Sequence, residues 1–474
     1  MIDSLTAVVL AAGAASRFGG AKLLAPLGGR PVLQHVLDAL AAAGIDHVVV
    51  VLGDDAAEIE GGIAWRTERR VRNPDPGRGL SSSVRVGIAA ASAGHGPDAI
   101  LVALGDQPAI SADAIRRLRQ AADVTDRPIV VARYEGDSAR NPVLLRPPAF
   151  TLVEETSGDR GLGPLIAAHP KLVEEVHMPG ENPDVDRPED LAAAAAERWA
   201  ARVRADREQV DRYREVPDGR DFYAPVRSIF RADPDRTDDP VSDALRALVV
   251  PGETWLDIGA GAGRYALPLA RVAGRVIALD PSSGMLDALR EDAADHGIAN
   301  VETVLGRWPP DPAADDETAA LGAFPCADVA LIAHVSYDVE PIVPFLDSME
   351  AAARRLCVAV LMDARPGSLA APLWPAVHGE ARVILPGLNE LVELLRLRGT
   401  PPDVRRLPRE PRTFADRETL LTFVRRQLWV AEGGEKDARL REALEALVID
   451  EGSGVRFAAD ELGDIGLVTW APGA

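Results

Sequence analysis

Two glycine-rich connections and a few isolated acids hold the chemistry this sequence could perform. The first connection is Leu10 to Lys22, LAAGAASRFGGAK. Leu10, Ala11 and Ala12 close an apolar run, and Gly13, Gly19 and Gly20 lack the Cβ that would keep a ligand away from the backbone. Exposed N–H groups and a following helix N-terminus favour phosphate oxygens, and Arg17 and Lys22 add full positive charge. The stretch reads as a triphosphate seat, or as a plain glycine turn carrying two surface cations. It matches neither G-x-x-x-x-G-K-[ST] nor G-x-G-x-x-G, so the usual ATPase and dinucleotide readings fail here. Gly105 and Asp106 end another apolar run, and Asp186 lies in NPDVDRPEDL. Hard carboxylate oxygens together with triphosphate oxygens suit Mg²⁺, so Asp106 and Asp186 are expected to converge on one ion. Asp186 also fits as a helix N-cap, with Pro188 in the first turn and Glu189 three residues on. Ser81 and Ser82, in NPDPGRGLSSSVRVGI, either line a nucleotide or cap the helix behind them.

The second connection is Glu253 to Gly263, ETWLDIGAGAG. A short apolar strand, the acid Asp257, then Gly259, Gly261 and Gly263 precede a helical pattern and a second strand, RVIALD, ending on Asp280. Strand, glycine turn, helix and strand-terminal acid form the adenosine-binding half of a doubly wound fold, with the acid on the ribose hydroxyls. Trp308 is expected to stack on the adenine. His334, at the end of a further strand, is either a base near the reacting group or a structural histidine.

These residues need elements to hold them. Thr6 to Leu10, His47 to Leu52 and Ile100 to Leu104 are apolar on both faces, as central parallel strands covered by helices are. Helical spacing of Val32, Leu33, Val36, Leu37 and Leu40 completes a β-α-β unit by Leu52. Ligands of open α/β sheets sit beyond the carboxyl ends of the strands, where both the opening loop and Asp106 fall. Ala192 to Glu215, alanine-rich and then charged with both signs, reads as a solvated helix outside either core. Beyond it, 300–308, 326–335, 354–362 and 465–470 read as strands. Residues 375–440 interrupt the sheet with an amphipathic helix, LNELVELLRLRG, and a basic loop, VRRLPREPRTF. Arg405, Arg406, Arg409 and Arg412 of that loop either meet an anionic substrate or form a solvated charge run.

At 474 residues, 47% hydrophobic and 26% charged, the composition is that of globular domains, with room for more than one core. A formal net charge of −21 disfavours sequence-independent binding to nucleic acid. Two cysteines, Cys326 and Cys357, leave no disulfide framework, which fits a reducing compartment. The apolar start lacks a basic n-region and no stretch has the length and apolarity of a membrane span, so a cytoplasmic location is expected.

Five segments stand in the order found in the molybdenum cofactor nucleotidyltransferases: LAAGAASRFGGAKLL, NPDPGRGLSSSVRVG, LGDQP, ARNPVLL with SGDRGLGPLI, and DVDRPEDL. The resemblance covers about residues 5 to 195, and LAAG with GDQP is similar to the cytidylyltransferase branch, where Ala12 replaces a second glycine. It implies CTP attacked at its α-phosphorus by a terminal phosphate of a molybdopterin-type acceptor, with release of pyrophosphate. Carried onto this chain, Leu10 to Gly13, Arg17 and Lys22 hold the triphosphate, Ser81, Ser82 and Gly105 border the nucleotide, and Asp106 and Asp186 bind Mg²⁺. Phe18 departs from the family, in which methionine is commoner. From about residue 220 onward the G-x-G-x-G spacing, with Asp257 two residues before the first glycine, resembles the class I S-adenosylmethionine-dependent methyltransferases. That implies Asp257, Gly259, Gly261, Gly263, Asp280, Trp308 and His334 around S-adenosylmethionine.

The expected architecture is therefore two doubly wound Rossmann-like α/β domains: residues 1–195, a charged helical linker 196–219, and residues 220–474. The expected activity is bifunctional, nucleotidyl transfer plus methyl transfer to a small molecule, with docking to a molybdoenzyme or its maturation factor as an added expectation. The alternative is a nucleotidyltransferase acting on a sugar phosphate or another phosphorylated small molecule, with the second domain a non-catalytic S-adenosylmethionine-binding module.

Overall fold

Alternate residues of the first strand, β1 (Leu5–Ala11), are apolar in both directions, so it needs cover on both faces. Ala7, Val9 and Ala11 pack with Leu33, Val36 and Leu37 of helix α1 (Val32–Ala42), while Val8 and Leu10 pack with Val84 and Ile88 of α2 (Leu80–Ala91). The computed structural model describes residues 2–13, 17–93, 96–135, 140–217, 231–310, 326–409, 411–452, 454–458 and 463–473. Contacts divide the chain into two compact units, one up to Ala201 and one from Arg202.

The first unit holds a seven-stranded sheet. Its further strands are β2 (His47–Leu52), β3 (Arg69–Arg72), β4 (Ala99–Leu104), β5 (Ile129–Tyr134), β6 (Val143–Leu145) and β7 (Val173–Met178), in the order β3-β2-β1-β4-β6-β5-β7. Both neighbours of β1 are parallel to it, with Ala11 opposite Leu52 and Leu10 opposite Leu104. Their carboxyl ends therefore share one edge, and strand order reverses at β1. β6 runs antiparallel to both β4 and β5, so the sheet is mixed.

In the second unit β8 (Thr254–Ile258), β9 (Arg275–Asp280), β10 (Val301–Leu305), β11 (Ala327–Ala333), β12 (Ala353–Met362), β13 (Asp403–Leu407) and β14 (Ile465–Trp470) form another seven-stranded sheet. Its order is β10-β9-β8-β11-β12-β14-β13. The first five strands are parallel, and β14 pairs antiparallel with both β12 and β13.

Two expectations fail here. The stretch read as a basic loop begins as strand β13, an edge strand in which the adjacent Arg405 and Arg406 are both exposed. Arg406 pairs with Asp363 at 3.1 Å, and the Arg412 guanidinium lies over the Phe414 and Phe423 rings, so neither is a simple solvated charge. The charged helix is α3 (Asp190–Tyr213), and it is packed, not solvated. Trp199, Val203, Asp206, Gln209 and Val210 are buried, and Arg202 bonds Glu390 at 2.5 Å. Asp206 and Gln209 share the buried face with Val203 and Val210, and Val210 joins a satellite core with Trp374, Leu420 and Phe457. Residues 218–219 of the expected linker lie outside the described residues.

Candidate functional site

At the carboxyl edge of the first sheet, the ends of β1 and β4 meet: the Gly105 N–H donates to the Leu10 carbonyl at 2.9 Å. A Cβ on Gly105 would stand 3.1 Å from that oxygen, so only glycine lets the strand ends close this tightly. Asp106 follows directly. Its carbonyl accepts the Val185 N–H at 2.9 Å, and Gln107 and Asn182 exchange side-chain hydrogen bonds, 3.1 Å from Asn182 Nδ2 to Gln107 Oε1 and 3.3 Å from Gln107 Nε2 to the Asn182 carbonyl. These bonds bring Asp186 beside Asp106, about eighty positions away in sequence.

Lys22 joins the two. Its Nζ donates to Asp106 Oδ2 at 2.5 Å and to Asp186 Oδ1 at 3.0 Å, while Arg17 Nη1 reaches Asp186 Oδ2 at 3.1 Å. Burial works against the ammonium, yet the charge of Asp106, hydrogen bonds to both acids and the charge of Asp186 outweigh it, and the Lys22 pKa is raised. The site is thus four charges, two of each sign. Asp186 does not cap a helix: α3 begins at Asp190, whose carboxylate accepts the N–H groups of Asp186 and Arg187 at 2.9 and 2.7 Å. Asp190 does the holding that the sequence pattern assigned to Asp186 and Glu189, and Asp186 is left to face the cations.

Gly13 is exposed with open space at its Cβ position, and Ala12 is half-buried. Residues 14–16 of the opening loop lie outside the described residues. Ser81 and Ser82 lie inside α2, after the cap position Gly79, and neither caps it. Ser82 donates to the Gly79 carbonyl at 2.8 Å and accepts from Asn73 Nδ2 at 2.8 Å, while Ser81 is fully buried with its Oγ unpartnered. Gly79 has φ +89°, and a Cβ there would stand 2.6–2.7 Å from the Gly158 backbone, so the serine loop and the SGDRGLG loop interlock. Sequence reasoning missed Gln107, Asn182 and Asp190. Their signal was present, since all three belong to motifs already singled out as LGDQP and NPDVDRPEDL.

In the second unit Gly259, Gly261 and Gly263 all adopt positive φ, at 75°, 54° and 86°. A Cβ on Gly259 would stand 2.5 Å from Val335 Cγ2, whereas Gly261 faces open space. The Asp280 carboxylate accepts the Gly261 and Ser282 N–H groups, each at 2.8 Å, and so shapes the loop. Asp257 is buried with Oδ1 unpartnered; burial and the neighbouring Asp280 charge push its carboxyl up to about 7. His334 has φ +58°, rare for a side-chain-bearing residue. Burial, and then the Arg264 charge, bring its imidazole down to about 4, so it is neutral at pH 7. Its Nδ1 lies 3.2 Å from the Tyr337 hydroxyl, which accepts the Met362 N–H at 2.8 Å. Trp308 is half-buried and its indole N–H lies 3.3 Å from the Phe345 carbonyl, past the end of β10.

Among the described residues no helix is long and apolar enough to cross a membrane. The chain is thus two α/β units, each built on a seven-stranded sheet. Residues 7–173 match the MobA-like NTP transferase domain, and residues 256–325 match a methyltransferase domain. The chain is 35% identical over 205 residues to the nicotine blue oxidoreductase of Paenarthrobacter nicotinovorans, covering 40% of this chain and 96% of that protein. To the bifunctional protein GlmU of Sorangium cellulosum it is 37% identical over 140 residues, covering 28% of this chain and 29% of that protein. A solved structure, Rv0371c from Mycobacterium tuberculosis H37Rv, is 30% identical over 41% of this chain and 98% of that one, with a TM-score of 0.37. The chain belongs to the MobA-like NTP transferase family and carries a methyltransferase domain behind that unit.

Proposed function

We propose that the first unit transfers a nucleotidyl group, CMP from CTP, to a terminal phosphate of a molybdopterin-type acceptor, and that the second methylates a small molecule with S-adenosylmethionine. The convergence of Lys22 and Arg17 on Asp106 and Asp186 carries the first half. Two carboxylates brought together on one ammonium are the hard oxygen donors that Mg²⁺ takes, so Asp106 and Asp186 would hold that ion. That ion would supply charge neutralisation of the triphosphate. Lys22 and Arg17 exchange carboxylate partners for phosphate oxygens when the nucleotide arrives. An acceptor phosphate oxygen then bonds to the α-phosphorus, the α–β bridging bond breaks, and pyrophosphate leaves with that electron pair. Gly13 and Gly105 bring backbone close to the nucleotide, and the start of α2 with Ser81 and Ser82 borders it.

In the second unit the orphaned buried oxygen of Asp257 and the open space over Gly261 fit the cofactor. Asp257 and the three glycines would hold its amino-acid end, Asp280 its ribose and Trp308 its adenine, with neutral His334 near the methyl group. The cofactor would supply an activated methyl; the chain contributes proximity and a dry pocket.

The test measures pyrophosphate release with CTP, GTP and ATP against molybdopterin-type and sugar phosphate acceptors. Release is expected with CTP and the molybdopterin-type acceptor, lost in Asp106→Ala and on chelation by EDTA. Release with a sugar phosphate alone moves the reading to the second acceptor class. Full activity of Asp106→Ala removes the metal assignment. Because similar folds carry different chemistries, the assay also follows reduction of nicotine blue; turnover there without pyrophosphate release overturns the reading. Docking to a molybdoenzyme or its maturation factor follows from the acceptor and stands or falls with it.

A further inference from the structure

Beyond the carboxyl end of β12, in the second unit, two arginines that the sequence reading passed over face one narrow cleft. Arg365 lies three residues past Met362, half-buried, and its guanidinium has no hydrogen-bond or ion-pair partner among the described residues. Opposite it, Arg382 is buried against Trp374, its guanidinium carbon 4.2 Å from the ring centre. Arg382 Nη1 donates to Gln209 Oε1 at 2.7 Å. Its Nη2 stands 2.5 Å from Asp206 Oδ1, near enough to balance that charge, but neither atom completes a hydrogen bond. The Gln427 amide, also without a partner, is pressed so closely on Gly367 that a Cβ there would meet Oε1 at 2.3 Å. The cleft encloses about 290 Å³ including its open mouth, and its floor admits little more than one water-sized group.

The lining charges are Arg365, Arg382 and Asp206, a net of one positive charge. Asp206 faces both arginines and offsets one of the two charges. Burying an arginine such as Arg382 is costly unless it is paired and hydrogen-bonded; burial brings its pKa down to about 10, so it is still charged at pH 7. An excess of forked N–H donors, a free amide and a cleft too narrow for a ring suit a planar monoanion. The location suits an acceptor. β8 and β12 are separated only by β11, which at strand spacing is about 10 Å, and all three carboxyl ends share an edge. Arg365 therefore lies beyond the same edge as the glycine loop and His334.

We propose that this cleft anchors the methyl acceptor by a carboxylate, gripped by Arg365 with help from Gln427 and the Nη2 side of Arg382. The carboxylate is the handle, and the methylated atom lies elsewhere on the same small molecule. This rests on reading the second unit as a methyltransferase.

Calorimetric titration of the full chain with acetate, benzoate and the neutral benzamide tests it, with S-adenosylmethionine titrated separately. Saturable binding of a carboxylate, none of benzamide, and a loss of at least tenfold in Arg365→Gln are expected. Arg365→Lys, which keeps the charge without the fork, should recover part of that loss, and S-adenosylmethionine affinity should stay unchanged in both variants. Failure of both carboxylates to bind, equal binding of benzamide, or a smaller loss in Arg365→Gln overturns the anchor. If S-adenosylmethionine binds while the carboxylates do not, the anchor falls and the methyltransferase reading stands. If carboxylates bind through Arg365 but S-adenosylmethionine does not, the anion pocket stands and its role as acceptor site falls.

Discussion

An ammonium held between two carboxylates, as Lys22 is between Asp106 and Asp186, stabilises the loop and also keeps the two acids from repelling each other. Lys22→Met keeps the stem and deletes the charge. It should cost about 1–3 kcal/mol of stability, the usual range for stranding part-buried polar partners, and lower the rate of pyrophosphate release at least a hundredfold, as loss of a transition-state donor does. Equilibrium unfolding and single-turnover kinetics separate the two effects. In the second unit Asp257 and His334 act in opposite directions. The Asp257 carboxyl, up at about 7, binds a proton in the folded chain that the unfolded chain has released, so its contribution to stability falls between about pH 4 and pH 7. Neutral His334, down at about 4, lacks a proton that the unfolded chain holds, so its contribution rises between about pH 4 and pH 6.5. The two oppose each other over most of that window. Asp257→Asn removes the falling contribution, so its unfolding midpoint should climb more steeply with pH across that window than the parent's does.

At the scale of elements, the loops are held by close approach more than by capping hydrogen bonds. Gly79 opens α2 with a positive φ and lies directly against the backbone of Gly158. Gly79→Ala would add strain at that φ and a backbone overlap that no rotamer can relieve, a cost of about 1–3 kcal/mol. Thermal unfolding should show that loss, and nucleotide affinity should fall with it, since the serine loop moves with Gly79. Unchanged affinity would detach the start of α2, with Ser81 and Ser82, from the nucleotide. The helices and strands bearing the motifs were legible because periodicity and strand length are local properties: α1, β1, β2, β4 and β14 lie within a residue or two of their expected spans. β13 was not. Its arginine-rich Asp403–Leu407 carries no strand signal of its own and becomes a strand only because β14 offers an unpaired edge.

At the scale of the whole chain, each unit has its own apolar cores: those of the first sheet's two faces, and in the second unit the sheet core and a satellite core around Trp374. Ligands that bind only folded units stabilise the unit they bind. Calorimetric scanning of the full chain should resolve two transitions, CTP with Mg²⁺ raising one and S-adenosylmethionine the other. A single transition moved by either ligand would mean that the units unfold together. The helix α3 crosses the boundary with buried residues on either side of it, so the charged stretch between the domains contributes to a core instead of serving as a spacer.

Local patterns carried the family resemblance, the two glycine connections, the acids at strand ends and most of the sheet strands, because turn chemistry and hydrophobic period are written in neighbouring residues. On its composition alone the opening loop was open between a glycine turn and a phosphate seat, and the family resemblance made it a triphosphate seat. Tertiary structure decided what Asp186 faces: its backbone N–H is held by the Asp190 carboxylate, and its own carboxylate meets Lys22 and Arg17. It also decided that Lys22 lies between two acids far apart in sequence. It turned a charged helix inward, and it brought Arg365 and Arg382 to one cleft from positions that no spacing rule connects. Those outcomes depend on which surfaces meet, and a chain specifies that only through its complete packing.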